Sequence, residues 1–327
     1  MPEGVVSLYS SVQSEPVHWL WYPYIALGKI TLLQGDPGDG KSTMMMRLIA
    51  AITKGGTAPD GTGFGRPQRV IYQCSEDGVA DTIKPRLEES GADCSRVAFL
   101  NEEQLGNITL DDERLRQAIT EFRPSLLVVD PIQAYLGENA DLQVAGKARK
   151  LMQRLGMWAA MYDCAVVLVG HMNKREGQKN LYRGLGSIDL TAAARSVLQV
   201  ERDPKDEQMR IVQQIKNNLG PQGNEIRFRI TPEQGFAWQK CTPMIPPERE
   251  LWERPVFQTE MDKAAYYIKK YLQHEDMRSR EILYRLKSDG VSKRTAMLVK
   301  ENLGIRSYRK MREWFWTMAS ETQEETT

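Results

Sequence analysis

The chain has 327 residues, of which 41% are hydrophobic and 27% charged, a length for about two domains and the composition of a globular protein in water. It has no run of the roughly 18 apolar residues a membrane span needs and no basic, apolar leader after Met1-Pro2-Glu3. Its four scattered cysteines and three histidines lack metal-ligand spacing, so the expectation is a cytoplasmic protein with free thiols and neither a membrane segment nor a structural zinc site.

In chain order, Trp19, Trp21, Tyr22 and Tyr24 come first. Such a cluster either packs an N-terminal segment or stacks on a base. Burial is the ordinary use of Trp, so packing is expected. The apolar run at 29–34 predicts a strand that leads into Gly35-Asp36-Pro37-Gly38-Asp39-Gly40-Lys41-Ser42-Thr43. Residues 35–42 fit G-x-x-x-x-G-K-[ST], followed by a helix over 41–54. Glycines let backbone N–H groups turn inward around phosphates. Lys41 reaches the outer phosphates, and Ser42 offers a hydroxyl to Mg²⁺. The helix start points its positive end at the anion. Residues 35–43 are therefore the expected site for ATP and Mg²⁺.

A strand at 69–74 runs into Ser75-Glu76-Asp77-Gly78, ahead of a helix over 79–90. Hydrolysis needs a carboxylate to orient and polarise water. Glu76 is the expected one, with Asp77 as competitor and helix capping as the plain alternative. A short strand at 96–100 and a helix at 111–121 precede strand 125–130, which ends in Asp130. An acid at the tip of a buried strand can support Mg²⁺. After a helix at 142–162, strand 164–170 runs into Gly170-His171-Met172-Asn173-Lys174. His171 could sense the γ-phosphate. The Gly-rich stretch beyond it holds Lys174, Arg175, Lys179 and Arg183, which suit a DNA backbone. Arg195 and Lys216 remain as candidates for an extra cation on the γ-phosphate.

Strands alternating with helices imply an α/β fold with a mostly parallel sheet. The shorter strands at 196–201, 209–215 and 226–230 imply an antiparallel edge extension. Residues 1–240 thus form one domain, and Pro243, Pro246, Pro247 and Pro255 mark a linker over 241–261. Helices at 262–273, 279–288 and 292–302, with Ser279 and Ser292 as N-caps, precede a hairpin within 305–318. A disordered tail is expected at 319–327. The net charge is +1, yet residues 262–316 hold 14 Lys/Arg and 7 Asp/Glu, leaving the remainder at −6. A basic module on an acidic body points to DNA. Lys293, Arg294 and Lys300 on the third helix, and Arg306, Arg309, Lys310 and Arg312 on the hairpin, are the candidate contacts.

Six segments then agree in order. Trp19 to Tyr24, the phosphate loop, Cys74 to Gly78, Val128-Val129-Asp130-Pro131, Gly170 to Lys174 and Lys216 to Pro221 together resemble the RepA-type branch of RecA-fold ATPases of plasmids and phages. The resemblance covers residues 16–240. It implies a RecA-like P-loop core and a homo-oligomeric ring, a hexamer, with ATP between subunits. It also implies Glu76 as catalytic carboxylate, Asp130 as Mg²⁺ support, His171 as sensor, Arg195 as inter-subunit finger and Arg86 as adenine-stacking residue. One departure stands out: related ATPases carry Lys-x-Arg where this chain has Lys216 and Asn218, which shifts weight to Arg195 and Lys216. Residues 262–316 resemble a winged helix-turn-helix. The expected function is a DNA-acting ATP motor, a replicative helicase. An ATP-switched mediator resembling RadA or KaiC is the alternative, and a small-molecule phosphotransferase a weaker one.

Overall fold

The computed structural model describes residues 8–11, 14–137, 145–171, 188–247, 257–273 and 276–318. It divides into two compact units: Met1–Leu115 with Pro124–Trp252, and Arg116–Arg123 with Glu253–Thr327. The expected tail at 319–327 and part of the expected linker lie outside the described residues.

The first unit opens with a small antiparallel pair, β1 (Trp19–Trp21) and β2 (Ile25–Ala26). Trp21 and Tyr24 are 1% exposed and join the main core, while Trp19 and Tyr22 pack edge to face in a satellite cluster. The Trp21 indole N–H donates to Asp60 at 3.2 Å. No face of these rings is open to a base, so packing is what they do.

In chain order then follow β3 (Ile30–Gly35), α1 (Lys41–Lys54), β4 (Val70–Cys74), α2 (Lys84–Glu89), β5 (Val97–Ala98), α3 (Glu102–Leu105), α4 (Glu113–Phe122), β6 (Leu126–Asp130), α5 (Ala145–Tyr162), β7 (Ala165–His171), α6 (Ile188–Ala193), β8 (Ser196–Asp203), β9 (Asp206–Asn217), β10 (Ile226–Thr231) and β11 (Gly235–Trp238); from Arg116 on, α4 belongs to the second unit. Nine strands form one sheet in the order β11-β10-β9-β8-β3-β7-β6-β4-β5. The six from β8 to β5 are parallel, and β8 to β11 pair antiparallel. β3, β6 and β7 are apolar almost throughout because helices cover both faces of a parallel sheet.

α1 starts at Gly40 and stops at Gly55, both with left-handed φ. Its Met44, Met45, Met46, Leu48, Ile49 and Ile52 are 2% exposed or less, each worth about 1.5–3 kcal/mol of transfer free energy. This helix and the buried strand before it hold the phosphate loop at both ends.

Three expectations need correcting. The strand expected at 96–100 is only Val97–Ala98, because the Gln73 side chain accepts from the Leu100 N–H at 2.8 Å and donates to the Leu100 carbonyl at 3.2 Å. A side chain thus satisfies backbone that would otherwise extend the ladder. The helix expected from 79 begins as a π-helical turn over Val79–Ile83, and α-helix follows from Lys84, beside Pro85, which has no N–H to give. Strand β11 was not foreseen, although Phe236 and Trp238 already alternate at spacing two. Cys74 is half-buried at the end of β4, and Cys164 is fully buried.

In the second unit, α7 (Glu260–Leu272), β12 (Met277–Arg278), α8 (Ser279–Ser288), α9 (Lys293–Asn302), β13 (Arg306–Lys310) and β14 (Glu313–Thr317) follow in order. A capping box of Thr259 and Asp262 starts α7, and Ser292 caps α9 by accepting from Thr295 N–H at 3.1 Å. Ser279 is not a cap. It is the first residue of α8, because Arg278 before it is held extended by pairing with Phe315. β12, β14 and β13 make a three-stranded sheet closed by a two-residue turn, Met311-Arg312, with both φ positive. Ile268, Tyr271, Ile282, Leu286, Ala296, Val299 and Trp316 fill the core.

Candidate nucleotide-binding and catalytic site

The phosphate loop sits where β3 meets α1, and neighbouring strands shape it. Gly38 and Gly40 have φ of 80° and 84°, a conformation glycine adopts without strain. A Cβ on Gly40 would lie 2.7 Å from Ile230 Cδ1, so β10 packs directly beneath the loop. Asp39, 5% exposed, accepts from the Asp36 N–H at 2.9 Å and pairs with Arg202 of β8 at 3.2 Å. Arg202 also donates to the Gly38 carbonyl at 3.4 Å. This clamp was not legible beforehand, because 163 residues separate its partners.

Gly35 has a different constraint. A Cβ there would stand 2.4 Å from the Val200 carbonyl oxygen of β8. That atom is backbone in a central strand, so no rotamer change relieves the overlap. Gly35→Ala should destabilise the first unit by about 3 kcal/mol or more, lowering its melting temperature by roughly 6–12 °C. Gly61→Ala has positive φ but nothing within 4 Å, and should cost only the left-handed strain of about 1–2 kcal/mol. Thermal melts of both variants check the ranking. Equal melting points would show that β8 does not hold this approach.

Lys41 is 4% exposed, and its ammonium donates to the Gly35 and Asp36 carbonyls at 2.9 and 2.8 Å. Burial pushes its pKa down, while Asp39, Asp130, Asp36 and Glu76 pull the other way. Lys41 therefore feels both acids that the sequence singled out. Asp130 ends β6, in register with Cys74 of β4, and Glu76 lies two residues beyond. His171 ends β7, directly opposite Gly35. Its buried Nδ1 has no hydrogen-bond partner among the described residues. Gly35, Lys41, Ser42, Glu76, Asp130 and His171 thus meet at the carboxyl edge of the parallel strands, where ligands of open α/β sheets bind.

Beside Glu76, burial raises the pKa of the Cys74 thiol, and the backbone N–H groups of Asp77 and Glu76 pull it back down. Asp77 is engaged by Arg86 at 2.7 Å, whereas Glu76 is exposed and has no ion pair among the described residues. Arg86 is thereby tied from α2 to Asp77.

Tyr72 escaped the sequence reading. It is 2% exposed, and its hydroxyl donates to Asp130 Oδ2 at 2.8 Å. Burial raises its pKa well above normal. The signal in the sequence was a tyrosine two residues before Cys74 in an otherwise apolar run.

Arg195 and Lys216 lie elsewhere. Arg195 precedes β8; its N–H donates to the Ile30 carbonyl and its own carbonyl accepts from Asn218, both at 2.9 Å. It stands at the amino edge of the parallel strands, five residues before Val200, the register partner of Gly35. At about 3.3 Å per residue that is roughly 16 Å from the loop. Lys216 donates to the carbonyls of Thr191, Ala192 and Ala194 at 2.8–3.0 Å. All three ammonium donors are spent on the end of α6, which corrects the expectation of a phosphate-facing Lys216. Burial, and then Arg195, push its pKa down. Lys174, Arg175, Lys179 and Arg183 lie outside the described residues.

The residues present fit Mg²⁺–ATP. The loop supplies backbone N–H groups, Lys41 a charge, and Ser42 and Asp130 hard oxygens, the second of them held by Tyr72. Among the described residues no cluster of three or more His, Cys, Asp or Glu could hold a metal unaided. That suits Mg²⁺, which takes one or two protein oxygens together with substrate phosphates. Bound there, it would neutralise charge on the outer phosphates.

The family model described as AAA domain, AAA_25, matches residues 4–177, more than half of the chain. The chain belongs to the AAA_25 family. With its strand order and phosphate loop, this AAA_25 chain is an ATPase with a RecA-like P-loop core. It is similar to the DNA repair protein RadA of Halalkalibacterium halodurans, 30% identical over 65% of this chain and 41% of that protein. RadA of Brucella abortus is 29% identical over 59% and 38%. The AAA_25 chain thus spans about two fifths of the length of these curated relatives. Among solved structures, the ATPase domain of G40P aligns with a TM-score of 0.49 at 13% identity, covering 65% of this chain and 84% of that one. The RadB recombinase aligns at 0.43 and 19%, covering 65% and 91%. No described helix is long and apolar enough to cross a membrane.

Proposed function

We propose that this protein hydrolyses ATP to act on DNA, as a helicase-like motor of the RepA type assembled head to tail with ATP between subunits. One observation carries the reading. The phosphate loop, Glu76, Asp130 and His171 gather at one edge of the sheet, while the exposed Arg195 stands at the other. Each chain therefore offers a nucleotide site on one edge and a cation on the opposite one. A head-to-tail contact would bring them together, and such contacts close into rings. A hexamer is the ring size the RepA resemblance implies.

In the second unit, the order helix, short strand, helix, helix, hairpin supports a winged helix-turn-helix. Lys293 and Arg294 are exposed at the start of α9, and Arg306, Arg309, Lys310 and Arg312 are exposed on the hairpin. These would contact duplex phosphates and base edges. Lys300 is engaged over the Trp316 ring at 5.4 Å, so it contributes less freely than Lys293 and Arg294.

The RadA relatives favour a second reading, an ATP-dependent mediator that binds DNA without unwinding it. ATP turnover with and without single-stranded DNA, alongside displacement of a labelled strand from a forked duplex, separates the two. DNA-stimulated turnover with displacement supports the motor. Stimulation without displacement supports the mediator. Turnover indifferent to DNA defeats both.

A further inference from the structure

We propose that Tyr72 is a positioning residue for the nucleotide's metal ion. It fixes the Asp130 carboxylate. This rests on the reading of Ser42 and Asp130 as Mg²⁺ supports.

The Tyr72 hydroxyl, 2.8 Å from Asp130 Oδ2, donates its single proton to that oxygen. A carboxylate that supports a cation must present an oxygen to it in a fixed direction, and a bond from a buried donor to one of its oxygens fixes the direction of the other.

The rest of the side chain is built to hold the hydroxyl still. Tyr72 lies mid-strand in β4, in register with Val128 of β6, and belongs to the main hydrophobic core. Its ring cannot leave without opening that core. The end of β6 is thus tied to a buried side chain of β4. Outer-sphere partners of this kind orient the oxygens that touch a metal.

Tyr72→Phe removes the hydroxyl and keeps the ring. The test follows a fluorescent, non-hydrolysable ATP analogue on the full chain as Mg²⁺ is titrated, with a parallel measurement in EDTA. Ser42→Ala and Asp130→Asn serve as comparators, and thermal melts in EDTA report folding. Tyr72→Phe should raise the Mg²⁺ concentration for half-maximal binding by about 10- to 100-fold, the usual scale for an outer-sphere partner. Binding in EDTA should stay at the parent level. An unshifted Mg²⁺ midpoint, with Ser42→Ala and Asp130→Asn both shifted, overturns the role of Tyr72 and leaves the metal reading standing. If none of the three variants moves the midpoint, the metal reading fails and this inference with it. Equal losses in Mg²⁺ and EDTA would mean that Tyr72 merely packs the loop, and would also overturn the proposal.

Discussion

Arg195→Ala is expected to lower ATP turnover by about 10³-fold, the low end for a cation placed on a transferring phosphoryl group, without impairing nucleotide binding. Backbone bonds to Ile30 and Asn218 fix its position, roughly 16 Å by strand rise from the phosphate loop, on the opposite edge of the sheet. No side chain spans that distance, so a contribution within one chain is excluded. Lys216 cannot substitute, because its ammonium closes off the last carbonyls of α6. A decisive form of the experiment mixes two dead variants. Arg195→Ala copies bring an intact phosphate loop, and Lys41→Ala copies bring an intact arginine. In random head-to-tail assemblies of an equal mixture, roughly a quarter of interfaces pair the two intact halves, so about a quarter of parent turnover should return. A mixture that assembles and stays dead defeats the inter-subunit role. Full turnover by Arg195→Ala alone defeats any role on the phosphate.

The parts of this site that were legible in the sequence are those fixed by local grammar. The phosphate loop is contiguous, and its flanking strand and helix have strong periodicity, so α1 runs over the expected residues. Asp130, Glu76 and His171 could be placed because each follows a buried apolar strand, and parallel strands deliver their carboxyl ends to one edge. The remainder depends on partners far apart in the chain. Arg202 clamping Asp39, Ile230 beneath Gly40 and Val200 against Gly35 are products of the sheet order β10-β9-β8-β3, which no local pattern encodes. Lys216 was misjudged for the same reason: a lysine on a strand and a helix end 22–25 residues away meet only in the fold. Tyr72 was hidden differently. A tyrosine in a buried strand reads as core, and only its oxygen reveals a second use.

Glu76→Gln should bind Mg²⁺–ATP like the parent and hydrolyse it at least about 100-fold more slowly, the scale of a lost acid–base group. The substitution keeps shape and hydrogen-bonding reach but removes the ability to take a proton from water. Glu76 is exposed just beyond the end of β4, so the substitution leaves the core untouched. The same geometry separates the two neighbouring acids. Asp77 already spends its charge on Arg86 at 2.7 Å, so Asp77→Asn should loosen the start of α2 while leaving turnover near the parent rate. Nucleotide titration and phosphate release on both variants distinguish them. If Asp77→Asn is the variant that binds but cannot hydrolyse, then the ion pair with Arg86 must open when nucleotide enters, and the carboxylate facing the water belongs to Asp77.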